Sequence, residues 1–108
     1  MKKVLTLLLL IPMFSFGQIN AKYFNAAWNS ANDVSWFMSL QDCGTKDVTD
    51  IAKDKEAQTK YKIAVIPTII IFKDGEEVAR FQADLSFKMV ATREEVQEEI
   101  DNQLMSDF

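Results

Sequence analysis

The strongest constraint on the fold is one unbroken apolar run, Thr68-Ile69-Ile70-Ile71-Phe72, set between Pro67 and the turn pair Asp74-Gly75. A short β-branched run bounded by turn signals reads as a strand, and its lack of alternation means that both faces are buried. Such a strand belongs in the middle of a sheet. Asp74-Gly75 then reverses the chain, because both residues tolerate the positive φ of a tight hairpin turn. The returning strand alternates, with Val78, Arg80 and Gln82 on one side and Ala79, Phe81 and Ala83 on the other.

The remaining elements follow from punctuation and period. Ile19 to Ala26 reads as a strand, followed by the polar step Asn29, Ser30, Asn32. Val34, Phe37, Met38 and Leu40 then recur at helical spacing, which predicts a short helix capped by Asn32 and ended by Gly44. Trp36 and Leu40 give that helix a second apolar stripe, a candidate partner interface. A weaker strand spans Lys46 to Ala52, with Val48 and Ile51 as its main apolar residues. Asp54 caps a run of helix formers from Lys55 to Lys60. Thr92 with Glu95 forms a capping box, and Val96, Ile100 and Leu104 line one face of the closing helix. The order β-α-β-α-β-β-α predicts an α/β domain with a mixed four-stranded sheet and flanking helices, its early strands parallel and its last two antiparallel.

A chain of 108 residues allows one domain, and its first residues stand apart from it. Lys2 and Lys3 precede an uncharged, largely apolar stretch from Val4 to Phe16, and Ser15 and Gly17 put small residues at the −3 and −1 positions of a cut before Gln18. This is the build of a secretory signal peptide over residues 1–17. Interrupted by Pro12, the run is too short to span a bilayer, so the expected domain is 18–108, exported to the periplasm or secreted. Removing Lys2 and Lys3 leaves ten basic residues against sixteen acidic ones. Such a balance repels phosphate backbones, so nucleic acid is excluded as a partner, and no membrane contact is expected after cleavage.

Cys43 is the only cysteine and there is no histidine. Dithiol exchange within the chain and any mechanism using an imidazole are therefore excluded. Asp42, Asp47, Asp50 and Asp54 do not follow calcium-loop spacing, and there is no Gly-rich phosphate loop, so neither a metal nor a cofactor is expected.

The residues Tyr61-Lys62-Ile63-Ala64-Val65-Ile66-Pro67-Thr68, the apolar run and Phe72-Lys73-Asp74-Gly75 together resemble the thioredoxin family around its cis-proline and following hairpin. Upstream, Phe24, Ala26 and Trp28 match the thioredoxin pattern that leads into Cys-Gly-Pro-Cys. Here that motif reads Asn29-Ser30-Ala31-Asn32. The similarity covers most of residues 19 to 104. It implies a thioredoxin-like fold, a cis bond at Ile66-Pro67, and a site whose two sulfurs have become amides. An asparagine amide is neither nucleophile nor electron carrier, so the resemblance implies a redox-inactive domain.

What such a domain would do is bind. In the family, the backbone before the cis-proline pairs with an extended segment, a mode that needs no cysteine. The expected contact surface joins Trp28, Asn29, Ser30 and Asn32 with Ile66 and Pro67, and the expected partner is a protein or extended peptide. Asn29 and Asn32 either present amides to that partner or serve the turn and the helix cap. The alternative from the enzyme class is a single-thiol oxidoreductase or redox carrier using Cys43, and a third possibility is a subunit of an oligomer.

Overall fold

The computed structural model describes residues 18–106, so the expected signal segment lies outside the described residues. Strand β1 (Ile19–Asn25) is followed by two 3-10 segments, Ala27–Asn32 and Phe37–Ser39. Strand β2 (Thr45–Asp50), helix α1 (Lys55–Lys60), strands β3 (Thr68–Lys73) and β4 (Glu76–Gln82) and helix α2 (Arg93–Met105) complete the order. The four strands form one sheet in the order β2-β1-β3-β4. β1 runs parallel to β2 and antiparallel to β3, and β3 pairs antiparallel with β4.

The apolar run is the interior strand its composition predicts. Ile69 and Ile71 enter the cluster that holds Val96 and Ile100 of α2, while Ile70 and Phe72 enter the one that holds Ala57 of α1. Asp74 and Gly75 take φ of 54° and 83°, and the hairpin they close carries a bulge that leaves Val78 out of register opposite Ile71 and Phe72. Asp54 caps α1 by accepting from the Ala57 N–H at 3.1 Å. Thr92 and Glu95 exchange the two bonds of a capping box at the start of α2.

The segment after β1 departs from expectation. No α-helix follows Asn32, which ends the first 3-10 segment and caps nothing. Two causes are visible. Asp33 is extended at ψ 145°, its carboxylate drawn to Tyr23 and Asn25, which breaks any continuing helix. Val34, Phe37 and Leu40 are the buried residues, and a spacing of three suits a 3-10 turn better than 3.6. Met38 is 58% exposed, and Trp36 packs partly against the core, so the predicted pair of helical stripes does not form. β2 is likewise an edge strand with Val48 turned to solvent, and Ile51 reaches the core just beyond its end.

Candidate functional site

The site is built where β1 ends, between the first 3-10 segment, the proline loop and the loop that follows β4. Asn29 is 4% exposed, and its amide is fully spent within the protein. Its Nδ2 donates to Asn25 Oδ1 at 3.0 Å and to the Phe87 carbonyl at 3.2 Å, and its Oδ1 accepts from Asn32 Nδ2 at 3.0 Å. The side chains of Asn29 and Asn32 therefore touch each other, joined by an amide hydrogen bond. Asn25 continues the chain by donating to Asp33 Oδ1 at 2.7 Å. Tyr23 Oη donates to the same carboxylate oxygen and accepts from the Val34 N–H at 3.0 Å. Burial first, and the bond to Asp33 second, push the Tyr23 hydroxyl up to about 12, so it is a neutral donor throughout the physiological range.

The proline loop is held from three sides. Arg80 of β4 donates to the Tyr61 and Lys62 carbonyls at 2.7 and 3.0 Å. It also pairs with Glu77, whose hydrogen bond raises the guanidinium above its ordinary value and lowers the carboxyl below its own. Thr68 Oγ1 donates to the Val65 carbonyl at 2.7 Å, and the Ala83 N–H donates to the Pro67 carbonyl at 3.0 Å. The Ile66–Pro67 bond is cis, and both side chains are buried. Among the described residues the main-chain N–H and C=O of Ile66 have no hydrogen-bond partner.

Trp28 stands 65% exposed at the mouth of the corner, with the Phe87 ring edge-on at 5.2 Å. Phe87 belongs to a tight turn organised by Asp84, whose Oδ1 accepts from the Ser86 hydroxyl and from the Ser86 and Lys88 N–H groups. Those bonds, the Ser86 hydroxyl foremost, hold the Asp84 carboxyl below its usual range. Trp28, Ile51, Gln58, Ile63, Val65, Ile66 and Phe87 line a small open cleft of about 120 Å³, part polar and part apolar. A wider open groove of about 880 Å³ beside α1 is lined by polar and charged groups such as Lys22, Asp54 and Lys60. Lys22 is paired with Asp47 at 3.2 Å, and Lys22 and Lys60 both lie over the Tyr61 ring.

No family model matches the chain. Chloroplastic thioredoxin Y1 of Arabidopsis thaliana is 44% identical over 44 residues, which make up 41% of this chain and 26% of that protein. The match therefore spans about a quarter of that relative's length. Among solved structures, Schistosoma mansoni thioredoxin aligns with a TM-score of 0.62 at 24% identity, covering 88% of this chain and 85% of its own. A mutant thioredoxin from Halobacterium salinarum aligns at 0.61 and 17% identity, covering 81% and 75%. The chain has the thioredoxin-like fold. With Cys43 as its single cysteine, the chain carries no two-cysteine motif.

Of the residues singled out from the sequence, the thioredoxin-like fold brings Trp28 and Ile66 onto one cleft, beside buried Pro67. Ser30 is exposed and lines a neighbouring cavity, while Asn29 and Asn32 bind each other. Cys43 sits at the other end of β1, next to Gly44, whose N–H bonds Ile19. Its thiol is half-buried and packs against the core, and burial pushes it up, only partly offset by Lys46. Among the described residues, no group of three acidic or sulfur ligands is placed to hold a metal ion.

Four participants carry no functional signal in the sequence: Tyr23, Asn25, Asp33 and Phe87. Asn25, Asn29 and Asn32 recur at intervals of four and three, the one pattern that could suggest a side-chain ladder. Phe87 has none, because its contact with Asn29 spans 58 residues of chain.

Proposed function

We propose that this chain is an exported, redox-inactive thioredoxin-like module that holds an extended segment of another protein at the corner between Trp28 and Ile66. One observation carries the reading: the unpaired main chain of Ile66 borders a small cleft walled by the Trp28 and Phe87 rings. An unpaired peptide group at such a site is a ready partner for an added strand, and the cleft takes an alternate side chain of that strand. The asparagines act from behind this surface. With every amide group of Asn29 spent internally, they fix the corner's shape and leave recognition to the backbone and the aromatic rings.

Export rests on the N-terminal pattern of residues 1–17, and redox inactivity on the amides at positions 29 and 32 together with the half-buried Cys43, whose thiol burial pushes up. The test has two arms. Affinity capture from an envelope extract is expected to retain a partner whose binding is lost in Trp28→Ala, and an insulin-reduction assay is expected to read zero. Disulfide reduction that disappears in Cys43→Ala would overturn the reading in favour of a single-thiol enzyme.

A further inference from the structure

We infer that Asp74 is the receptor for the α-ammonium group that removal of residues 1–17 creates at Gln18, and that this pair keeps the glutamine from closing into pyroglutamate. The inference rests on the export reading, which supplies the cut before Gln18, and owes nothing to the peptide-binding corner. Gln18 precedes β1, whereas the corner lies beyond the other end of that strand.

Gln18 and Asp74 are joined twice across 56 residues of chain. The Gln18 main-chain nitrogen donates to Asp74 Oδ1 at 3.1 Å, and the Asp74 N–H donates to the Gln18 carbonyl at 3.0 Å. The sheet brings them together. Ile19 of β1 is paired with Lys73 of β3 in an antiparallel register, so the residue before β1 meets the residue after β3. Asp74 is held there by the hairpin, at a φ of 54° that aspartate tolerates and most side chains do not. In the unprocessed chain the bonded nitrogen is an amide. A cut before Gln18 makes it an ammonium, charged at neutral pH because an α-amine ordinarily titrates at about 8. The bond then has a formal charge at each end, and a carboxylate at hydrogen-bond distance favours the protonated amine.

Protonation decides what an N-terminal glutamine does next. The unprotonated α-amine can attack the side-chain Cδ of the same residue. The N–Cδ bond forms, the Cδ–Nε2 bond breaks, and ammonia leaves with the proton that the amine gives up. The product is a neutral five-membered lactam. An amine held as ammonium on Asp74 has no lone pair for this attack. The side chain is turned away as well. Gln18 Cδ lies 3.9 Å from where a Cβ would stand on Gly44, which precedes β2, while the nitrogen faces the hairpin that follows β3. Since β2 and β3 flank β1 on opposite sides, the two atoms that would react are directed to opposite neighbours. Charge and conformation therefore both hold the open form. The tie also anchors the end of β1, because a chain terminus stays ordered only where something holds it.

The test follows the full chain, expressed with residues 1–17 and purified after export. N-terminal sequencing and intact mass are expected to find Gln18 first, open and unmodified. Stored at neutral pH, the native chain should lose ammonia more slowly than a free peptide that begins Gln-Ile-Asn, with peptide mapping to place any loss at Gln18. Asp74→Gly removes the carboxylate and keeps the turn, because glycine takes positive φ freely. It should cyclise about three to ten times faster than the native chain, the change that half to one pKa unit makes in the unprotonated fraction. Raised salt screens an exposed pair, so it should speed the native chain and leave the peptide unchanged, a check that needs no variant. A chain that keeps residues 1–17 would overturn the export reading and this inference with it. An exported chain that starts elsewhere, that is isolated already closed, or whose rate is the same with and without the Asp74 carboxylate would overturn this inference alone.

Discussion

The stretch from Ile63 to Gly75 and the corner from Tyr23 to Asp33 lie side by side, since β1 pairs with β3 from Ile19↔Lys73 to Phe24↔Thr68. Both keep the thioredoxin-like pattern, yet they are held by different forces. The first is an apolar strand whose Ile69, Ile70 and Ile71 are completely buried, and its geometry is set by packing on both faces. The second is a chain of side-chain hydrogen bonds running from Val34 through Tyr23, Asp33 and Asn25 to Asn29 and Asn32. Packing tolerates changes of identity at similar volume. A fully satisfied polar chain does not, because each member left unpaired costs the desolvation of its partner. The contrast shows that the corner's shape depends on amide pairing, with Asn29 and Asn32 joined directly, where the strand's depends on volume.

The contrast can be broken most directly from the packed side. Ile70→Ala should cost about 3–4 kcal/mol, the removal of a wholly buried aliphatic chain plus the cavity it leaves. Denaturant titration should show the midpoint falling by a large fraction of the domain's total stability. A loss under about 1 kcal/mol would mean that the strand is less tightly packed than its burial indicates. On the polar side, Tyr23→Phe keeps the ring, stacked on Phe37 at 5.2 Å, and deletes only the hydroxyl. It leaves the Val34 N–H without its acceptor and should cost about 1–3 kcal/mol.

The same hydroxyl gives a pH signature. Its folded value, about 12, lies above the ordinary 10.0, so the stability it lends is whole below 10.0 and is lost as pH rises toward 12. Ionisation there would set a phenolate against the Asp33 carboxylate. Unfolding midpoints measured across that interval should drop in the native chain and drop less in Tyr23→Phe. Parallel curves for the two proteins would show that the Tyr23 hydroxyl does not carry the alkaline loss.

What the sequence makes legible follows the same division. The apolar run, the Asp74-Gly75 turn, the Asp54 cap and the Thr92-Glu95 capping box are local signals, each written within a few neighbouring residues, and each forms where its residues predict. The corner is not local. In sequence Asn29 resembles a surface amide because its partners include a carbonyl 58 residues away, and Asn32 resembles a helix cap because asparagine so often is one. The segment after it suggests a period of 3.6, whereas the buried Val34, Phe37 and Leu40 are spaced by three. That spacing is present in the sequence, but Met38 and Trp36 fill in a helical pattern that the fold does not use. Of the candidate site, the pairing of Trp28 with Ile66 is legible through the resemblance, whereas Phe87 and the carboxylates beside it depend on tertiary folding.

Two smaller changes sharpen the boundary between the regions. Arg80 joins them indirectly, since it fastens the start of the proline loop through the Tyr61 and Lys62 carbonyls. Arg80→Ala should cost about 1 kcal/mol in stability, because the bonds are partly exposed and water replaces some of them. Its larger effect should be on binding at the Ile66 backbone, measured with a peptide that binds the native chain. Equal affinity in both proteins would show that the loop keeps its place without the guanidinium. Val48→Thr should do least. In the sequence Val48 reads as a main apolar residue of its strand, and on that reading a hydroxyl there would cost as much as a core polar substitution. In the structure Val48 is 61% exposed on the edge strand, and threonine retains the branched side chain that an edge position favours. The expected change is within about 0.5 kcal/mol of zero, as for an exposed site without special contacts. A cost near roughly 2 kcal/mol would mean that something covers the β2 edge, since a polar atom in water costs nothing and only a buried one carries that penalty.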